Sequence, residues 1–263
     1  MIIDAHIHYL VRDGFVDDTL QAMDEAGVAI SALAALWPAD FLNHRTGGNR
    51  EVLRAVRRHP DRFVGLAYID PRERKAIERV REAVDRGFRG FKLFPPAGYR
   101  VDEGRFAGVF EAIGRTGLPV LVHCGLTNLT YARRRRQLPV NSALADPVFL
   151  DPLTRLYPKT AFIVAHMGFP HLMEAWALAM ANGNVILDTA GARVWPWCWV
   201  DVYNRLGRPV PIDWDRVWWG TDNCMSSKEG LAFARRRLRE AGCPKAKIAS
   251  VLGGCARRVL KLG

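Results

Sequence analysis

The chain has 263 residues, 49% of them hydrophobic and 25% charged, and Lys and Arg outnumber Asp and Glu by 38 to 27 for a formal charge of +11. That composition sits near the globular average and excludes a disordered or collagen-like chain. The longest apolar run, residues 29–38, contains Ser31 and ends at Pro38, well short of the roughly 18 residues a membrane span needs.

Short β-rich runs alternate with amphipathic helical segments along the whole chain. The first strand is expected at residues 2–8, followed by a helix at 17–26 that stops at Gly27, a residue suited to a helix C-terminus. A second strand at 29–36 precedes a helix at 49–58 that ends before Pro60, and a third strand at 63–69 precedes a helix at 73–86 that stops at Gly87. The fourth strand falls at 88–94, with a helix at 103–115 ending near Gly117, and the fifth at 118–124. A less regular stretch, 125–145, holds the four-arginine run 133–136 and leads to a helix at 146–157. The sixth strand is expected at 161–166 with a helix at 170–181. The seventh, at 185–190, is followed by a Trp-rich stretch at 194–200 that opens a helix towards Leu206. The eighth strand at 217–222 and a helix at 228–241 complete the series, and residues 245–262 read as two short helices around Gly253-Gly254.

Eight strands alternating with helices imply βαβ units and a parallel sheet. At about 33 residues per unit they imply a single (β/α)8 TIM barrel over residues 1–263, slightly elaborated by C-terminal helices. A doubly wound open sheet would place a Gly-rich phosphate loop after the first strand. This chain has Asp4-Ala5-His6-Ile7-His8 there instead.

Barrel active sites lie at the C-terminal ends of the strands, and polar residues gather at those positions. His6 and His8 end the first strand, His123 the fifth, His166 the sixth and Asp222 the eighth. The period of two along a strand puts His6 and His8 on one face, where two imidazoles can grip one cation. A lone histidine ending an apolar strand is ordinarily a hydrogen-bonded core residue. Five ionisable groups at matching strand ends point instead to a metal, because apolar strands seldom carry such groups unpaired. Histidine and carboxylate ligands suit Zn2+ and also Mn2+, Fe2+ or Co2+.

Ile3-Asp4-Ala5-His6-Ile7-His8 resembles the HxH signature of the amidohydrolase superfamily, and His123, Ala165-His166-Met167-Gly168 and Gly220-Thr221-Asp222 follow in matching order. Gly90-Phe91-Lys92-Leu93-Phe94-Pro95 and Leu252-Gly253-Gly254 resemble the amidohydrolase 2 branch, which includes aminocarboxymuconate-semialdehyde decarboxylase. The resemblance covers essentially the whole chain. One departure is Cys255, where many relatives carry Asn after the Gly-Gly pair.

The resemblance implies that His6, His8 and Asp222 bind metal, that His123 is a further ligand or touches substrate, and that His166 is a general acid/base or electrophile. It implies a metal-dependent hydrolase in which activated water attacks an amide, ester or lactone, with Asp222 taking the proton. A nonoxidative decarboxylase of an aromatic or unsaturated acid uses the same groups and stands as the alternative. A TatD-like DNase is a third reading, disfavoured because no glutamate ends the fourth strand. One metal is expected, with Lys92 as a pocket cation. A carboxylated Lys92 bridging two metals is the other arrangement the superfamily offers.

The remaining pocket residues should come from the loops after the strands. Arg193 and Trp195 follow the seventh strand and suit a carboxylate clamp and a stacking surface for a flat, anionic or aromatic small-molecule substrate. Asn128 follows the fifth strand and is a further candidate contact. The Trp-rich stretch 195–199 is expected either to roof the pocket or to pack on the barrel rim or in a homodimer interface. Five cysteines without a CxxC pair suggest reduced thiols in a cytoplasmic protein. Cys124 and Cys224 flank the site and are expected as wall residues rather than nucleophiles. The basic runs come with no nucleic-acid signature, so no nucleic-acid partner and no membrane association are expected.

Overall fold

A computed structural model describes residues 1–36, 46–127, 140–191, 196–222 and 225–263. Eight strands, β1 (Ile2–His8), β2 (Val28–Ala34), β3 (Phe63–Tyr68), β4 (Gly90–Leu93), β5 (Val120–Val122), β6 (Phe162–Val164), β7 (Val185–Asp188) and β8 (Val217–Trp218), form one parallel sheet in sequential order. The ring closes between its ends. Ala5 N–H donates to the Trp219 carbonyl at 3.0 Å, Asp222 N–H to the His6 carbonyl at 2.6 Å, and His8 N–H to the Asp222 carbonyl at 3.0 Å. The expected (β/α)8 barrel is the observed architecture.

Helices α1 (Phe15–Ala26), α2 (Asn49–Arg58), α3 (Ala76–Asp85), α4 (Ala107–Thr116), α5 (Asp151–Leu156), α6 (Leu172–Ala181), α7 (Trp199–Arg205) and α8 (Lys228–Glu240) are joined at the end of the chain by α9 (Lys245–Ala249) and α10 (Cys255–Val259). α1 ends at Gly27, whose φ of +71° only glycine adopts without penalty, and whose N–H returns to the Asp24 and Met23 carbonyls. The helices at 103–115 and 146–157 each open with a 3-10 turn, Gly104–Phe106 and Pro147–Leu150, before the α-helix proper. Pro147 and Pro152 each lack a backbone donor, which suits them to helix starts and breaks one long helix into two short pieces. Among the described residues no helix is long and apolar enough to cross a membrane.

The sheet is buried on both sides, as parallel sheets are. Outside it, side chains such as Phe63, Phe91, Phe162, Val185 and Trp219 pack under the helices in one large cluster. Inside, Ile3, Ala5, Val64, Leu66, Leu121, Ile163, Ile186 and Trp218 fill the lower barrel, and Cys255, Ala256 and Leu260 pack with them. Cys255 thus serves as a small apolar side chain, and burial pushes its thiol up to about 12.

A register shift in β1 decides where the histidines point. Between Asp4 and Ile7 the pairing with β2 advances three residues on β1 against two on β2, Ser31 to Leu33, so β1 carries one extra residue. Below it Ile3 and Ala5 join the interior cluster, whereas above it Ile7 joins the outer one. The bulge therefore reverses the strand's alternation and sends His6 and His8 inward above an apolar floor.

Candidate active site

The expected strand-end residues converge at the barrel mouth. His6 Nε2 lies 3.3 Å from His8 Nε2, 3.6 Å from Asp222 Oδ1, and His8 Nε2 lies 3.4 Å from the same oxygen. One ligand atom from each of the three falls within 4.8 Å of the others, a spacing suited to one divalent cation. His123 lies outside this set. Its ring stands edge-on to His166 at 4.9 Å and against Phe94 at 4.9 Å, and its Nε2 is buried with no hydrogen-bond partner. His166 approaches His6, with ring centroids 5.4 Å apart.

Three of the imidazoles, those of His6, His8 and His166, are held through Nδ1. His8 Nδ1 donates to the Ala34 carbonyl and His166 Nδ1 to the Ala190 carbonyl, both at 2.7 Å. Both rings therefore present Nε2 to the mouth as an acceptor. His6 Nδ1 lies 2.7 Å from Asp188 Oδ2, and both side chains are fully buried. Asp188 is absent from the sequence expectation, although it ends the apolar run Val185-Ile186-Leu187 just as the other site residues end theirs. Applying the strand-end rule to the seventh strand would have found it.

Asp222 is held from two directions. Its own backbone pairs with both His6 and His8. On either side of it, Thr221 N–H and Oγ and the Ser226 hydroxyl all donate to the buried Asp4 carboxylate, at 3.0, 2.6 and 2.9 Å. Asp222 adopts φ of +61° and His166 φ of +58°, left-handed conformations that Asp and His tolerate better than most side chains. Gly220 lets the two strands meet: a Cβ there would lie 2.7 Å from the His6 nitrogen.

Electrostatics follow from burying this many ionisable groups together. Burial, reinforced by Lys92, holds His6 well below its ordinary pKa, and burial with the neighbouring His166 does the same for His123. Burial raises Asp188 to about 6 and Asp4 to about 7, against their hydrogen bonds and neighbouring positive charge. For Asp222 burial also acts upward, but the close approach of His8 and the surrounding His166 and His6 rings outweigh it and hold the carboxyl well below its usual range. Lys92, on β4 and 1% exposed, places Nζ 3.3 Å from His6 Nε2. Burial lowers it to about 8, partly offset by Asp222 and Asp188.

Cys124 is buried in the outer core, and burial raises its thiol far above neutrality, so it is no thiolate nucleophile. Of the Trp-rich stretch, Trp197 and Trp199 are buried, Trp199 packing near Tyr203 and Trp214, so these two are rim packing rather than an exposed roof. Asn128, Arg193, Trp195 and Cys224, with the arginine run 133–136, lie outside the described residues.

Fold and mouth together define a (β/α)8 barrel with a histidine–carboxylate set at the ends of β1 and β8. The chain belongs to the amidohydrolase family, in its amidohydrolase 2 branch, whose family profile matches residues 3–262. A comparison with curated protein sequences gives no match. Among solved structures, the chain is similar to a TIM-barrel protein from Bordetella bronchiseptica at 17% identity and a TM-score of 0.73, covering 99% of this chain and 98% of that one. It is also similar to a probable 2-pyrone-4,6-dicarboxylic acid hydrolase from Acinetobacter baumannii, bound to citric acid, at 14% identity and a TM-score of 0.65, covering 99% of each chain. A third is the 5-carboxyvanillate decarboxylase of Novosphingobium aromaticivorans, complexed with manganese and 4-hydroxy-3-methoxy-5-nitrobenzoic acid. It is 15% identical with a TM-score of 0.64, covering 100% of this chain and 96% of that one. At these identities the likeness establishes the fold.

Proposed function

We propose that this chain is a metal-dependent hydrolase of a small carboxylate-bearing molecule, cleaving an ester, lactone or amide bond. The observation that carries the reading is the convergence of Asp222 Oδ1 on His6 Nε2 at 3.6 Å and His8 Nε2 at 3.4 Å. The donor set fits a divalent cation. His8 offers an imidazole nitrogen whose tautomer is fixed by Ala34, Asp222 offers an anionic oxygen, and the orphaned His123 Nε2 faces the same mouth without a protein partner. His6, His8 and Asp222 would hold one ion. Zn2+ matches the ligand types, and Mn2+, Fe2+ and Co2+ are compatible with them. When bound, such an ion supplies Lewis acidity and lowers the pKa of water towards about 7.

The chain's own groups then divide the work. Asp222, its side chain 18% exposed, accepts a proton at a carboxylate oxygen from the attacking water and returns it to the leaving group. His166, with Nδ1 committed to Ala190, presents Nε2 to the mouth as a general acid/base, accepting a proton there and donating to an oxyanion only once it has done so. Lys92 supplies positive charge for a substrate carboxylate. Arg193, Trp195 and Asn128 complete the proposed substrate contacts from the loops.

Decarboxylation of an aromatic or unsaturated acid is the second reading. What favours it is Lys92, a cation buried beside the ligand set where a carboxylate would lie, and the likeness to a decarboxylase. Manganese- or zinc-loaded protein, challenged with a panel of ring lactones and aromatic acids, separates the two. Proton release from a lactone without carbon dioxide supports hydrolysis, and carbon dioxide release from an aromatic acid supports the alternative. Two metals per chain would point to a carboxylated Lys92 bridging them.

A further inference from the structure

Asp4 stands apart from the groups that face the mouth. Its neighbours Ile3 and Ala5 point into the barrel, so the period of two along the strand turns Asp4 outward, behind the wall. It is fully buried there, and among the described residues no ion pair reaches it. Burying a carboxylate is costly unless its oxygens are satisfied, and both are. Oδ1 accepts the Thr221 N–H at 3.0 Å and the His6 N–H at 3.4 Å. Oδ2 accepts the Thr221 hydroxyl at 2.6 Å and the Ser226 hydroxyl at 2.9 Å. A carboxylate only accepts, so donors converging on both oxygens suit aspartate, whereas asparagine would turn an NH2 group towards them.

Closing the barrel does not require this cluster. Backbone bonds already make the seam between β1 and β8, from Ala5 to Trp219, Asp222 to His6 and His8 to Asp222. The side-chain donors to Asp4 come instead from either side of Asp222, from Thr221 before it and Ser226 after it. Asp222 sits at φ of +61°, a conformation that persists only where the surroundings hold it. From that conformation its Oδ1 meets His6 Nε2 at 3.6 Å and His8 Nε2 at 3.4 Å.

We propose that Asp4 is a positioning residue for the metal centre. By gripping Thr221 and Ser226 from behind the barrel wall, it fixes the turn at Asp222 and aims that carboxylate at the two imidazoles before an ion arrives. Ligands ordered in advance lose less freedom on binding, so the grip raises metal affinity without touching the ion. The assignment rests on the reading of the mouth as a metal centre and carries that centre through to the outer face of β1.

Zinc is the probe. Its affinity is measured by chelator competition on the wild type, Asp4→Asn, Thr221→Val and Thr221→Ser, and each metal-free protein is also unfolded in urea. Valine keeps the size of threonine and its N–H bond to Asp4 but loses the hydroxyl, whereas serine keeps the hydroxyl. Asp4→Asn and Thr221→Val should each weaken zinc binding about 10- to 100-fold, and Thr221→Ser should restore it close to the wild-type value. A purely structural role would lower the urea midpoint without moving zinc affinity. Thr221→Val carries the test even where Asp4→Asn does not fold. Undiminished zinc affinity in folded Thr221→Val, or equal losses in Thr221→Val and Thr221→Ser, would overturn the assignment. A wild type that takes up no zinc would instead overturn the reading of the mouth on which the assignment rests.

Discussion

The upper and lower halves of the barrel interior are built by opposite rules. The floor is apolar: Leu121, Ile163, Ile186 and Trp218 interlock over Cys255 and Leu260, and their contribution is removal of apolar surface from water. The mouth, directly above, buries His6, His8, Lys92, His123, His166 and Asp188, groups that apolar interiors normally exclude. The difference teaches where stability ends and chemistry begins along a single strand. In β1 the boundary is the extra residue between Asp4 and Ile7. In β5, β6 and β7 it is the last apolar residue before His123, His166 and Asp188. The floor stabilises the fold, and the charges of the mouth are offset by one another and, on the proposed function, by a divalent cation.

The comparison can be broken from the top first. His6→Ala or Asp222→Ala removes a ligand and should lower activity on any identified substrate about 10³-fold, because an ion's Lewis acidity is worth several kcal/mol in the transition state. Steady-state kinetics on metal-saturated variants checks this, and near-normal turnover would detach the chemistry from the ligand set. From below, Leu121→Ala should cost about 2–5 kcal/mol of folding stability in a urea titration. Its metal stoichiometry should stay at the wild-type value, so lost metal in a folded Leu121→Ala protein would show that the two halves are not separable.

Asp188→Asn sharpens the boundary itself. It keeps shape but removes the anionic partner of His6 Nδ1, and should weaken metal affinity about 10- to 100-fold in a chelator competition. An unchanged affinity would make Asp188 a packing residue. The smallest effect is expected for Cys124→Ala. Its neighbour His123 faces the mouth, but Cys124 sits in the outer core, so metal uptake should be unaltered and stability should fall by about 1 kcal/mol. A loss of metal there would place Cys124 in the site.

Much of this was legible in the sequence, for physical reasons that can be named. Strand number, order and the placing of His6, His8, His166 and Asp222 follow from alternation and from the rarity of ionisable groups in apolar strands. Two things were hidden. The bulge in β1 is a pairing property, because nothing in Ile2–His8 alone says which residue β2 skips. Asp4 reads as part of a motif, yet its work is to clamp Thr221 and Ser226, 217 and 222 residues away.

The most direct test of the whole account is metal content per chain by elemental analysis, on freshly purified protein and after chelation and reconstitution. The account predicts about one Zn, Mn or Fe per chain, removed by chelator, restored on reconstitution and absent from Asp222→Ala. No metal in the wild type, before or after reconstitution, would contradict it and leave His166 and Asp222 as a metal-free acid/base pair.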